Sequence, residues 1–194
     1  MSIVTIERKT NETDIKLVLN AYGKGQHNIK TGIGFFDHML ELLAFHGRFD
    51  IDLRCKGDLH IDAHHSVEDV GIVLGQGFEK AIPKDKTLQR YASTLIPMDE
   101  SLARAVVDIS GRPHLTFDAA FNHSKVGDFD TELTEEFFRA FVNHAKLTLH
   151  LRLEYGANTH HQIEALFKAV AISLKQALRL EVSQTGPSST KGVL

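Results

Sequence analysis

The period of the apolar positions changes several times along the chain. Apolar and polar residues alternate, as in half-buried strands, over Ile3–Arg8, Asp14–Tyr22, Phe49–Cys55, Ala103–Ile109, His114–Phe117 and Leu147–Leu153. Helical spacing takes over at Phe35–His46 and again after His65, where Val67, Val70, Leu74, Phe78 and Ala81 share one stripe. It returns at Glu135–Ala145, and at Ile163, Leu166, Phe167, Val170, Leu174 and Leu178. Gly47 suits the C-cap of the first helix and Thr134 the N-cap of the third. The final stretch, QTGPSSTKGVL, reads as loop from its Gly, Pro and Ser content.

These segments repeat. NETDIKLVLN, GFFDHMLELLA, FDIDLRCKGD and HHSVEDVGIVLGQGFEKAI in the first half answer MDESLARAVVDIS, EEFFRAFVNHAKL, LTLHLRLEYG and HHQIEALFKAVAISLKQAL in the second. Each half reads strand, strand, helix, strand, helix. Glu12 falls in register with Glu100, His38 with His144, His64 with His160, His65 with His161 and Glu68 with Glu164. Five pairs of chemically special residues in one order point to duplication. The expected fold is α+β and internally duplicated: two similar lobes, each with a small β-sheet and two α-helices, the helices packed together. The whole of 1–194 is expected to form one domain from two repeats, about 1–95 and 96–185, with a tail at 186–194.

Composition narrows the chemistry. The net charge is -3, so bulk attraction to nucleic acid or anionic membranes is not expected. One cysteine, Cys55, rules out an internal disulfide framework and suits a reducing cytoplasmic setting. No apolar run approaches the roughly 20 residues of a membrane span. Twelve His are dispersed through a chain without Trp, which directs attention to a metal or acid–base site.

His64-His65-x-x-Glu68 opens a predicted helix, and His160-His161-x-x-Glu164 opens another. Neighbouring residues on a helix lie about 100° apart, so two adjacent imidazoles diverge and serve two ions rather than one. Each Glu sits one turn on, within reach of either ring. With His38 and His144, both expected near the end of the preceding helix, the set is six imidazoles and two carboxylates: three His and one Glu for each of two metals. Such N/O sites suit Mn, Fe, Co, Ni or Zn, and four protein ligands on an ion that prefers six leave room for substrate or water. A single HHxxE is as well explained by a helix start with Glu in its first turn; two copies in register, each with a matching upstream His, are not. His27, His46, His60, His114, His123 and His150 lack such partners and read as surface or supporting residues. Asp37 and Asp62 stand close enough in sequence to orient ligand imidazoles. Arg90, Arg112 in SGRP, Lys168 one turn after Glu164, and Lys191 after Ser188, Ser189 and Thr190 are basic residues beside turns or hydroxyls, the makings of a phosphate site.

TGIGFFDHM, HIDAHHSVED, SGRPHL, NTHHQIEALFKA and PSSTKGVL, in order from Thr31 to Leu194, with RKTNET before them, resemble the imidazoleglycerol-phosphate dehydratase family over nearly the whole chain. The resemblance implies conversion of D-erythro-imidazoleglycerol phosphate to imidazoleacetol phosphate in histidine biosynthesis. It implies two Mn2+ per chain, each held by three His and one Glu, in a large shell, a 24-mer, with active sites between subunits. By motif the ligands are His38, His64, His65, Glu68, His144, His160, His161 and Glu164, and the substrate contacts are Glu12, Arg90, Arg112, Lys168, Ser189 and Lys191. Ala92 stands where the family commonly has Gly, which touches the loop after Arg90 rather than the Arg itself.

The chemistry sets its own demands. The C–H to be broken has no adjoining carbonyl, so the imidazole ring must act as electron sink; a metal-bound imidazolate expels the hydroxyl, and loss of the C–H proton gives an enol and then the ketone. A general acid and a general base are needed, with Glu12 and Glu164 the candidate catalytic carboxylates and Glu12 the one for proton transfer. Two other classes use such ligands. A dinuclear hydrolase would hold its ions about 4 Å apart, usually with a bridging carboxylate, whereas the spacing here gives two separable sets. A metal-storage shell would need no Arg and Lys set.

Overall fold

The computed structural model describes residues 3–83 and 86–181. In the first lobe, β1 (Val4–Lys9), β2 (Thr13–Asn20), β3 (His27–Lys30) and β4 (Asp50–Gly57) form a sheet of order β1-β2-β4-β3. Helix α1 (Gly34–Gly47) crosses from β3 to its parallel neighbour β4, and α2 (His64–Ala81) follows. In the second lobe, β5 (Tyr91–Met98), β6 (Ser101–Asp108), β7 (His114–Asp118) and β10 (Thr148–Tyr155) form a sheet of order β5-β6-β10-β7. Here α3 (Leu133–Ala145) crosses from β7 to its parallel neighbour β10, and α4 (Thr159–Ala177) follows. A short hairpin, β8 (Lys125–Val126) with β9 (Phe129–Asp130), precedes α3. The two lobes therefore share one topology, as a duplication requires.

Alternation decides which strand faces go inside. Ile15, Leu17 and Leu19 of β2 are buried, and so are Ile51 and Leu53 of β4 and Ala103, Ala105 and Val107 of β6. Helix α2 covers the first sheet and α4 the second, while α2 packs on α3 and α1 on α4. All four helices thus lie between two sheets and share one core, centred on Phe36, Phe78, Phe137, Phe138, Phe141 and Phe167. The α2–α3 contact is close because of two glycines. A Cβ at Gly71 would lie 2.8 Å from the Phe137 carbonyl oxygen, and one at Gly75 would lie 2.5 Å from that of Phe141.

Several boundaries differ from the sequence reading. Strand β3 was not anticipated, because only Ile29 of its four residues is buried. Strand β5 was missed because Tyr91 and Leu95 are apolar on its exposed face, which hides the alternation. Since β5 belongs wholly to the second sheet, the repeats divide before Tyr91 rather than at 95/96. Gly47 is the last helical residue of α1, and the left-handed C-cap is Arg48 (φ 60). At Gly47 a side chain would fall on the Phe49 ring. Thr134 is buried inside α3, whose N-cap is Glu132. The tail at 186–194 lies outside the described residues.

Candidate metal centre

Helix α4 starts where the Asn158 side chain accepts hydrogen bonds from the backbone N–H of His160 (2.9 Å) and His161 (3.3 Å). That cap places both imidazoles in the first turn, their ring centres 6.1 Å apart and their planes at 82°. The rings diverge as helix geometry demands. His160 turns toward α1, where Phe35 packs edge-on against it. His38 of α1 meets it there. His38 Nε2 lies 3.4 Å and His160 Nε2 3.2 Å from Glu164 Oε2, and the three ligand atoms all fall within 4.8 Å of one another. Among the described residues this is the one such group of three. Lys168 Nζ holds the other carboxylate oxygen at 2.5 Å and also lies 3.4 Å from Met98 Sδ. Burial opposes ionisation of Glu164, but Lys168, His160 and His38 outweigh it and keep the carboxyl below its ordinary range. Two imidazole nitrogens and one carboxylate oxygen, converging with the second oxygen already occupied, fit a divalent cation.

In the first lobe, Asp62 Oδ1 accepts the His64 backbone N–H at 2.8 Å at the start of α2. His64 Nε2 and Glu68 Oε2 lie 4.0 Å apart, and the His64 and His65 rings are 6.3 Å apart at 89°. The next turn is tied down by Asp69, whose Oδ1 takes Arg8 Nε at 3.0 Å while its Oδ2 accepts from Thr13 Oγ1 at 2.5 Å.

His38 is the fifth residue of α1, not near its end, while His144 is the penultimate residue of α3. Both helices close on a left-handed residue, Arg48 (φ 60) and Lys146 (φ 53), and both are followed by the inner strand of their sheet. Aligned on these caps, His46 matches His144, and His38 matches Glu136. The structure does not bring His144 to His64 and Glu68. A Cβ on Gly75 would lie 2.8 Å from His144 Cβ, and Gly75 is seven residues beyond Glu68, about 10 Å along the helix. His144 Nδ1–H donates to the Ala140 carbonyl of its own helix at 2.9 Å. Because α2 and α3 run in the same direction, it is the start of α3, with Glu136, that accompanies the start of α2.

The second imidazole of each pair has a carboxylate on Nδ1. Asp58 Oδ2 lies 3.0 Å from His65 Nδ1, and Glu100 Oε2 lies 2.7 Å from His161 Nδ1. Each Nε2 points elsewhere: Glu12 Oε1 is 3.8 Å from His65 Nε2, and Asp99 Oδ2 is 3.8 Å from His161 Nε2. Glu100 Oε1 also accepts from the backbone N–H of Asn158 (2.7 Å) and Ala157 (3.1 Å) and from Ser101 Oγ (3.0 Å). These bonds, that from Asn158 foremost, hold the Glu100 carboxyl far below the usual range. The same pairings raise the basicity of His65 through Asp58 and of His161 through Glu100. Asp37 and Asp62, the expected orienting residues, are engaged otherwise: Asp37 Oδ1 accepts from Thr31 N (2.8 Å) and Thr31 Oγ1 (2.6 Å), and Asp62 Oδ1 accepts the His64 backbone N–H. Sequence reading missed Asp58, Asp99 and Glu136. The register of Glu100 with Glu12 was the available signal for Glu100, but it suggested a shared role.

The basic residues do not all converge within one chain. Arg90 Nε is 2.7 Å from Asp108 Oδ1, and its guanidinium lies 4.8 Å from the Tyr91 ring centre. Its backbone N–H donates to the Ala177 carbonyl at the far end of α4 from Glu164, about 20 Å away along the helix. Arg112 sits in the exposed turn that follows β6, where Ser110 Oγ accepts its N–H at 3.1 Å. Among the described residues of this group, Lys168 alone stands beside the candidate metal ligands. Ser189 and Lys191 lie outside the described residues. No helix among the described residues is long and apolar enough to cross a membrane.

Comparison with known proteins bears on this arrangement. The family model for imidazoleglycerol-phosphate dehydratase matches residues 31–174. The imidazoleglycerol-phosphate dehydratase of Clostridium botulinum is 53% identical over 193 residues, covering 100% of this chain and 98% of its own. That of Acetivibrio thermocellus is 54% identical over 189 residues, 97% of either chain. The crystal structure of the Staphylococcus aureus enzyme superposes with a TM-score of 0.85 at 45% identity, over 93% of this chain and 100% of that one. The Pyrococcus furiosus enzyme, solved in complex with (S)-C348, gives 0.85 at 32% identity, over 97% of this chain and 100% of its own. With its duplicated lobes, its HHxxE helix starts and relatives matched from end to end, the chain belongs to the imidazoleglycerol-phosphate dehydratase family.

Proposed function

We propose that this chain dehydrates D-erythro-imidazoleglycerol phosphate to imidazoleacetol phosphate, a step of histidine biosynthesis, with two Mn2+ per chain. The observation that carries the reading is the convergence of His38, His160 and Glu164 within 4.8 Å in a member of this family. A second set is built on His64 and Glu68, with Glu136 at the position that His38 holds in the first. The Nε2 atoms of His65 and His161 face Glu12 and Asp99 rather than Glu68 and Glu164, which suits completion of a set on a neighbouring copy. Metal held by these residues would acidify the substrate's imidazole N–H, so that the ring could supply the electron pair that leaves with the hydroxyl and take up the pair left when the neighbouring C–H proton is removed. Glu12, half-exposed on the Nε2 side of His65, is placed to move a proton between the leaving hydroxyl or the C–H carbon and solvent. Glu164 serves as a ligand, its second oxygen held by Lys168.

Phosphate recognition falls to Arg90, Arg112, Lys168, Ser189 and Lys191. Since Arg90 lies about 20 Å along α4 from Glu164, one small substrate cannot touch both in the same chain. A site shared between copies reconciles them and supports a homo-oligomer, of 24 copies by family resemblance. Treatment with a chelator should abolish turnover of imidazoleglycerol phosphate, and Mn2+ should restore it. Light scattering should show the assembly shrinking on metal removal, because ligands drawn from several chains link association to metal. Full turnover by verified metal-free protein would contradict the reading. A metal-storage shell would bind Mn2+ yet form no imidazoleacetol phosphate.

A further inference from the structure

The duplication pairs Glu12 with Glu100 in sequence, but the geometry pairs them differently. On the Nδ1 side stand Asp58 for His65 (3.0 Å) and Glu100 for His161 (2.7 Å). On the Nε2 side stand Glu12 for His65 and Asp99 for His161, each at 3.8 Å. The loops explain the exchange. Between β1 and β2 the link is Thr10–Asn11–Glu12, where Thr10 Oγ1 accepts the backbone N–H of Glu12 and of Thr13. Between β5 and β6 it is the two-residue turn Asp99–Glu100, with Asp99 at φ 47. The shorter turn lays Glu100 against the first turn of α4, where it takes the Asn158 and Ala157 N–H groups as well as His161. In the first lobe the carboxylate comes instead from Asp58, the residue after β4. Its counterpart after β10 is Gly156, which has no side chain to offer and abuts Ser101 and Gln162.

We propose that Asp58 and Glu100 are the positioning residues of the two lobes, each fixing its imidazole with the proton on Nδ1 and the lone pair of Nε2 outward. Taking that task from different loops leaves Glu12 available for the reaction. An imidazole ligates through its unprotonated nitrogen, and a carboxylate on the other nitrogen selects the tautomer and holds the ring plane. Glu12 is excluded from this task in the first lobe because it faces the wrong nitrogen. The inference rests on the proposed metal sets, but its main readout does not need metal.

The test is Glu100→Gln. Its Oε1 can keep the Asn158 and Ala157 N–H bonds, so the fold and the α4 start should survive. Its amide N–H2 then faces His161 Nδ1 and forces the proton to Nε2, the nitrogen required for ligation. Metal-free protein labelled with 15N-histidine, at about pH 9 where imidazoles are neutral, reports the tautomer directly. Wild type should show His65 and His161 as Nδ1–H, and Glu100→Gln should move His161 alone to Nε2–H. Equilibrium dialysis with Mn2+ should then show one of two sites weakened about 10- to 100-fold. Asp58→Asn gives the corresponding test on His65 and serves if Glu100→Gln does not fold. Glu12→Gln should leave both tautomers and Mn2+ affinity as in wild type. An Nε2–H tautomer at His161 in wild type, or an unchanged tautomer in Glu100→Gln, would overturn the proposal. If wild type bound no Mn2+, the metal reading would fail while the tautomers still decided the positioning role.

Discussion

In the first lobe, the acid beside the second histidine's Nε2 comes from the three-residue loop between β1 and β2 and the acid on its Nδ1 from the loop between β4 and α2. In the second lobe both come from a single two-residue turn. One topology therefore supports two supply routes for the same pair of contacts. The lobes differ again one turn further on. Lys168 grips Glu164, whereas the matching position of α2 is Ile72 and Glu68 is reached by His64 at 4.0 Å. Duplication thus preserved the candidate ligand frame, set by helix starts, and let the surrounding charges diverge because a loop can change length without moving a strand.

The comparison is broken most severely by attacking both frames. Glu68→Gln and Glu164→Gln should each lower turnover below detection and remove about one metal equivalent per chain, as counted by mass spectrometry of the purified protein. Removing His123, which lacks a partner in the repeat, should do neither. If one Glu variant kept full metal and turnover, the two sets would not be equivalent.

A smaller but selective effect is expected at Glu12. Glu12→Gln should cut kcat by roughly 10²- to 10⁴-fold, the usual yield of a positioned proton-transfer group, with metal content unchanged. Loss of metal in that variant would return Glu12 to a supporting role.

The tail tests the basic set. Deletion of Ser189 to Leu194 should raise KM about tenfold or more, since charge-assisted contacts contribute roughly 1.5–3 kcal/mol each. Metal content and particle mass should not change. Unaltered steady-state kinetics would remove Ser189 and Lys191 from the phosphate site.

The mildest prediction concerns how the first residue of each inner strand secures the loop before the edge strand beside it. Asp50 in the first lobe accepts the N–H groups of Lys24 (2.8 Å), Gly25 (3.0 Å) and Gln26 (3.0 Å). Its counterpart in the second lobe, Thr148, is neutral and shares a 3.2 Å hydrogen bond with Ser110. Burial opposes ionisation of Asp50, but these backbone donors and Asn20 outweigh it and lower its pKa. A depressed carboxylate gives its stability above the unfolded value of about 3.9 and loses it as pH falls through the folded value. Asp50→Ala should therefore cost about 2 kcal/mol in urea unfolding at neutral pH, with the gap to wild type closing in acid. Thr148→Ala should cost less, and equally at both pH values. A pH-independent Asp50 deficit would contradict the assignment.

Much of this was legible in the sequence, for definable reasons. Helices α1 to α4 announced themselves through 3.6-residue stripes, and the HHxxE starts through spacing that only helix geometry makes meaningful. The strand β5 did not, because Tyr91 and Leu95 put apolar side chains on its open face. His144 was aligned with His38 by residue type, yet helix ends set the true register, and those ends were marked by Arg48 and Lys146, residues with no composition signal for a left-handed cap. Asp58, Glu100 and Asp99 depend on which way a side chain turns from a short loop, which spacing alone does not encode. The separation of Arg90 from Glu164 follows from the length of α4 and its pairing with β5, visible only once the sheet order is known.

The central claim is that duplicated ligand frames hold two separate ions. Anomalous scattering at the manganese edge, from crystals of protein grown with Mn2+, tests it most directly. The account predicts two peaks per chain, one touching His38, His160 and Glu164 and the other touching His64 and Glu68. No peak at either set, or two peaks about 4 Å apart and bridged by one carboxylate as in a dinuclear hydrolase, would contradict it.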